Sequence, residues 1–217
     1  MTLVENEALN DIKNKVLTNM ENLTNNEKVL VVLDRTYKNQ RSDDDFMKLE
    51  KLITDSLFNS GYEVDFKIMS TFVSDYEYDI NSEALMKETD NYAAYACMND
   101  YVCVIAEGFA SWFWLQVIYS VPVICINPVL EPETEYEDFM TDELEYILKF
   151  IKKDRGFQTS ECMCVISSEN YEDVEEYDNI FFDNTVIRSD DMFDSEEFWT
   201  ENGSIIKAIK YIKLNYA

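Results

Sequence analysis

The sequence predicts an α/β fold with three layers, α/β/α, built around a mostly parallel sheet. Three observations predict it. Short apolar runs alternate with amphipathic helical segments along the chain, the order that builds a parallel sheet covered on both faces. Runs such as Lys28–Leu33 (KVLVVL) and Tyr101–Ala106 (YVCVIA) are apolar at nearly every position, as strands buried on both faces must be. Hydrophobic residues make up 47 % of 217 residues, enough for one real core, and no repeat, low-complexity tract or linker divides them. Residues 1–217 therefore read as one domain, with 1–26 as a helical extension.

In chain order, Glu5–Leu23 places Leu9, Ile12, Val16, Leu17 and Met20 on one helical face. Asn25-Asn26 ends that helix, and Lys28–Leu33 is the first strand. Arg35–Asp45 is polar and reads as a loop. Phe46–Phe58 is helical, with Phe46, Leu49, Leu52, Ile53 and Leu57 on one side, and Ser60-Gly61 stops it. Tyr62–Met69 alternates and reads as the second strand. Ser82–Cys97 reads as helix, Tyr101–Ala106 as strand, Gly108–Tyr119 as helix and Val121–Asn127 as strand. Asp142–Lys153 is amphipathic and acidic at its start, which suits a helix N-terminus. Cys162–Ser167 and Asn179–Arg188 read as strands. Ser204–Leu214, with Ile205, Ile206, Ile209 and Ile212, reads as the last helix.

Charge limits the partners. Lys and Arg number 18 against 44 Asp and Glu, a net charge of −26. Such a chain repels nucleic acid, nucleotides and anionic membranes, so neither direct nucleic-acid binding nor membrane binding is expected. The acid is spread along the chain rather than gathered in a tail, as on a solvated acidic surface. The sharper reading is a surface that engages a basic protein partner or imitates nucleic-acid charge.

Phe109–Ile126 is 18 residues without a charge, but Ser111, Gln116, Ser120 and Pro122 interrupt it. A buried helix running into a buried strand accounts for it better than a bilayer span. The N-terminal stretch has early acids and no apolar core of signal-peptide length. Of five cysteines (Cys97, Cys103, Cys125, Cys162, Cys164), four lie in apolar strand-like runs, as buried reduced thiols do. A reducing, cytoplasmic setting is the expectation.

No histidine occurs anywhere, which removes the usual general base and the commonest metal ligand. Four glycines in total cannot form a Gly-rich phosphate cradle, so no cofactor of that kind is expected. No metal site is assigned.

The central stretch is the most informative. Val102 to Trp114 (VCVIAEGFASWFW) reads as strand, tight turn and helix, and Val121 to Pro128 (VPVICINP) follows. This resembles the small cap-less bacterial esterases of the α/β-hydrolase superfamily. There a strand enters a Gly-x-Ser-x-Gly elbow, a helix follows, and the next strand ends in Leu/Ile-x-Asn-Pro. The resemblance covers roughly residues 28–214 and implies an α/β-hydrolase-like fold with its site at the strand ends.

The catalytic positions depart from that pattern. The five elbow positions read Ala106, Glu107, Gly108, Phe109 and Ala110, so the nucleophile position is Gly108. In the loop after the late strand, Asn170 matches the acid position, with Glu169 and Asp173 beside it. Met192 matches the histidine position. Where the family places an oxyanion-hole pair, Asp34-Arg35 follows Leu33, and a carboxylate there repels a developing oxyanion. A Ser-His-Asp mechanism needs an imidazole that takes and returns a proton, and this chain has none.

The resemblance thus implies a catalytically inactive member acting as a binding or interaction module. Gly108, Asn170 and Met192 are its vestigial triad positions, and Asp34, Arg35, Glu107 and Phe109 line its vestigial pocket. Two other readings stay open. One is an accessory or structural component of a larger assembly, a viral one included, or an acidic charge mimic. The other is a hydrolase using metal-assisted carboxylates, should Asp34, Glu107, Glu169 and Asp191 converge. Ser111 is the nearest hydroxyl to the elbow, with no base to activate it. Trp112, Phe113 and Trp114 read chiefly as core. Arg35, Lys38 and Arg41 form a basic patch that either neutralises these acids or meets an anionic ligand.

Overall fold

The structure is a computed structural model that describes residues 27–34, 41–69, 94–95, 98–116, 121–129, 162–169 and 186–216. It is an α/β fold with a six-stranded, wholly parallel sheet. The strands are β1 (Glu27–Asp34), β2 (Tyr62–Met69), β3 (Tyr101–Glu107), β4 (Val123–Ile126), β5 (Cys162–Ile166) and β6 (Val186–Arg188), in the order β2-β1-β3-β4-β5-β6. The described helices are α1 (Asp43–Asn59), α2 (Phe109–Gln116), α3 (Glu196–Trp199) and α4 (Ser204–Tyr216).

The central strands are buried because both of their faces are covered. Val29 to Leu33, Cys103 to Ala106, Ile124 to Ile126 and Cys164 to Ile166 have no exposed surface. Residues of one parity, including Val29, Val31, Leu33, Cys103, Ile105, Ile124 and Val165, share a core with α1, α3 and α4. That core takes Phe46, Leu49, Ile53 and Leu57 from α1 and Ile205, Ile206, Ile209 and Ile212 from α4. Burying each such side chain stabilises the fold by about 1.5–3 kcal/mol. Residues of the other parity, among them Leu30, Val32, Val104, Ala106, Cys125 and Cys164, are equally buried. Helix α2 packs against β1, β3 and β4, with Trp112 and Leu115 buried.

Several boundaries differ from the sequence expectation. Asp43 to Asp45 belong to the first turn of α1, not to a loop, because Ser42 caps the helix. Its hydroxyl accepts from the Asp45 N–H (3.2 Å) and donates to the Asp45 carboxylate (2.6 Å), a reciprocal cap on an acidic first turn. Gly108 is a turn residue, and the following helix starts at Phe109. Within Asn179–Arg188 only Val186–Arg188 is described, as strand. Helix α3 was not expected, since four residues are too few to show a helical period. The expected helices at 5–23 and 142–153, and all of 82–97 except the helical residues 94–95, lie outside the described residues.

No helix among the described residues is long and apolar enough to cross a membrane. Phe109–Gln116 and Val123–Ile126 divide the uncharged stretch between a helix and a strand.

Candidate functional site

β1 has neighbours on both sides: the chain leaves it for β2 on one side and returns to β3 on the other. In parallel α/β sheets this reversal opens a crevice beyond the C-terminal ends of the strands, where ligands bind. Here the two strands that frame it end in carboxylates, Asp34 on β1 and Glu107 on β3. Both are buried, at 1 % and 3 % exposure, so each needs a partner.

The partners form one continuous network. Gly108 turns the chain at φ 57°, a left-handed conformation that favours glycine. Its N–H donates to the Ile126 carbonyl (2.9 Å) and its carbonyl accepts from Val129 (3.1 Å), so the turn is held by the segment after β4. The turn aims the first amide of α2, the Phe109 N–H, at Asp34 Oδ2, 3.0 Å away. An anion at a helix N-terminus is favoured by the unpaired amides and by the helix dipole. The Asp34 N–H in turn donates to Glu107 Oε2 (3.3 Å).

Arg41 closes the network. Its Nη1 and Nη2 donate to Glu107 Oε2 (2.8 Å) and Oε1 (2.6 Å), a bidentate pair. The guanidinium carbon lies 4.9 Å from the centre of the Phe193 ring and 5.9 Å from that of Phe46. Burial alone would pull the Arg41 guanidinium down. The hydrogen bonds and charge of Glu107, with the charges of Asp34 and Asp194, outweigh that and hold it above its ordinary value. Phe193 is fixed in place: its N–H donates to Glu169 Oε1 (3.0 Å) and its carbonyl accepts from Trp199 Nε1 (2.7 Å). A cavity of about 410 Å³, lined by Arg41, Asp45, Lys48, Leu49, Leu52 and Asp194, opens beside the guanidinium.

Asn127 is the one described non-glycine residue at positive φ, 44°. Its side-chain amide donates to Ser167 Oγ (2.8 Å) and accepts from the Ser167 N–H (3.0 Å), tying the end of β4 to that of β5. Asparagine tolerates this conformation better than most side chains. The Asn127-Pro128 pair thus has a backbone role beside the Gly108 turn.

Of the residues singled out from sequence, the structure brings together Asp34, Glu107, Gly108 and the backbone of Phe109. The Phe109 ring is buried and stacked 5.9 Å from Trp112. Met192 is 54 % exposed, and its carbonyl accepts from the Ser195 N–H and hydroxyl. Asn170, Asp173, Arg35, Lys38 and Cys97 lie outside the described residues.

The four carboxylates do not converge as a metal site would require. Glu169 is engaged by the Phe193 amide, Asp34 and Glu107 by their own partners, and no group of three metal-ligating side chains forms among the described residues. Ser111 is fully buried and its hydroxyl donates to the Ala106 carbonyl (2.6 Å), which fixes the start of α2. Trp112 and Trp114 are core residues. Burial pushes the Cys103 and Cys125 thiols well up, so neither offers a thiolate near neutrality.

Arg41 was legible only as one cation of three in a basic patch, and Phe193 and Phe46 carried no site signal at all. The available clue was an acid ending an otherwise apolar buried strand, twice, which requires a cation or a set of amides nearby. Compared with protein-family models, with curated proteins and with solved structures, the chain gives no match.

Proposed function

We propose that this chain is a three-layered, α/β-hydrolase-like protein without catalytic activity, a cytoplasmic binding or interaction module. The parallel sheet, the strand–glycine turn–helix unit at β3 and the Asn127-Pro128 loop that holds the turn all support it. A single observation carries the reading. The Phe109 N–H, the amide that would face a developing oxyanion after an elbow nucleophile, is already bonded to the chain's own Asp34 carboxylate. Gly108 has no side chain to attack with, and the chain has no imidazole to act as base. The two acids at the ends of β1 and β3 are paired with Arg41 and the Phe109 amide, which favours recognition over ester hydrolysis.

The test is hydrolysis of short acyl p-nitrophenyl esters by the purified chain, with a fluorophosphonate probe and the Gly108→Ser variant alongside. The expected result is no turnover above buffer for either protein and no labelling of the wild type. Restoring the hydroxyl supplies neither the base nor a free oxyanion donor. Turnover abolished by one point mutation, or labelling at one residue of the wild type, overturns the reading.

A further inference from the structure

We propose that the box around Arg41 is a guanidinium receptor, filled by Arg41 in cis and by an arginine of a basic protein partner in its place. The proposal rests on the interaction-module reading above and names the chemistry of the partner.

The box is built for a planar fork. Glu107 presents both oxygens to the two terminal nitrogens at 2.8 and 2.6 Å, the bidentate match that a lysine ammonium cannot reproduce. Phe193 and Phe46 offer ring faces to the delocalised cation. Asp34 and Asp194 add negative charge. The described charges that act on the guanidinium, those of Glu107, Asp34 and Asp194, are all acidic and repel an anionic ligand in Arg41's place.

Arg41 stands where a competitor can reach it. It precedes the Ser42 cap of α1 and lies outside every regular element, so no helix or strand hydrogen bond breaks when it leaves. Its side chain keeps 23 % of its surface in solvent, against 4 % for Glu107. The 410 Å³ cavity lined by Arg41, Asp45, Lys48, Leu49, Leu52 and Asp194 gives an incoming side chain an approach past Asp194 and the Asp45–Lys48 pair. Replacing one guanidinium by another restores the same hydrogen bonds and ring contacts, so the exchange leaves no buried carboxylate unpaired. The net charge of −26 raises the encounter rate with a basic partner at low salt.

The test uses the full chain with two probes, Nα-acetyl-arginine amide and Nα-acetyl-lysine amide. In Arg41→Ala the box is empty, and calorimetry is expected to show the arginine probe binding at least about tenfold more tightly than the lysine probe. Adding Glu107→Gln to that variant is expected to remove the preference. The wild type gives a second readout that does not depend on the variant folding. The Nε–Hε resonance of Arg41 is expected to move on titration with the arginine probe and to stay still with the lysine probe.

Equal binding of the two probes by a folded Arg41→Ala chain overturns the proposal. So does an Arg41 resonance unmoved by the arginine probe at about 10 mM, the weak end of specific recognition. Ester turnover measured on the same samples separates the two readings. Turnover overturns the inactive-module reading, whereas no turnover together with no arginine preference overturns the guanidinium receptor alone.

Discussion

Glu107 ends a strand whose other residues are apolar, and it is 3 % exposed. A carboxylate in that place is tolerated because Arg41 supplies two charge-assisted hydrogen bonds and the Asp34 amide a third. Removing the charge from one partner leaves the other buried and underpaired. Glu107→Gln is therefore expected to lower unfolding free energy by about 2–3 kcal/mol in urea titrations, somewhat less than for a fully buried pair because Arg41 retains some solvent. A loss near zero would mean that Arg41 finds equal compensation from Asp34 and Asp194. The sequence showed Asp34 and Glu107 as acids in suspect places. It did not show that Arg41, 66 residues from Glu107, answers them, because three cations stood in the same stretch and no local pattern chooses among them.

Helix α1 illustrates how far local chemistry reaches. Ser42 and Asp45 form a cap that was readable as Ser-x-x-Asp, yet the polar run before Phe46 resembled a loop and its three aspartates hid the first turn. Ser42→Ala is expected to cost about 1 kcal/mol. The hydrogen bond from Ser42, and then Lys48, hold the Asp45 carboxyl below its ordinary value. A depressed carboxyl stabilises the fold above its unfolded pKa, and that contribution is lost as pH falls through the folded one. The Ser42→Ala penalty should accordingly shrink below about pH 4, as chemical unfolding at stepped pH would show.

The corner between α3 and α4 has a harder constraint. A Cβ on Gly203 would lie 2.4 Å from the carbonyl oxygens of both Glu197 and Phe198, backbone atoms that cannot swing aside. Gly203→Ala is expected to destabilise by about 2–4 kcal/mol and to loosen Phe198 and Trp199, measurable as lost near-ultraviolet dichroism. An alanine variant as stable as wild type would show that the corner repacks freely.

The molecule carries far more negative charge than its ion pairs absorb. The described pairs, such as Lys28 with Glu63 and Lys213 with Glu27, are surface contacts of small individual worth. With a net charge of −26, self-repulsion opposes the compact state, and salt screens it. Melting temperature is expected to rise between about 0.01 and 0.15 M sodium chloride, the range over which the screening length falls from about 30 to 8 Å. A flat or falling dependence would mean that the described and remaining ion pairs, rather than the repulsion, dominate the salt response.

The sequence by itself determined the class of fold, the positions of the central strands, the buried thiols and the impossibility of imidazole chemistry. Those follow from local period, burial pattern and composition, which a chain carries wherever it folds. Only the tertiary structure decided the strand order, the pairing of Asp34 with the Phe109 amide and the capture of Arg41 between Glu107 and two phenyl rings. The physical reason is range. Those contacts join residues dozens of positions apart, and they exist only because a parallel sheet brings the C-terminal ends of β1 and β3 side by side at one end of the strands.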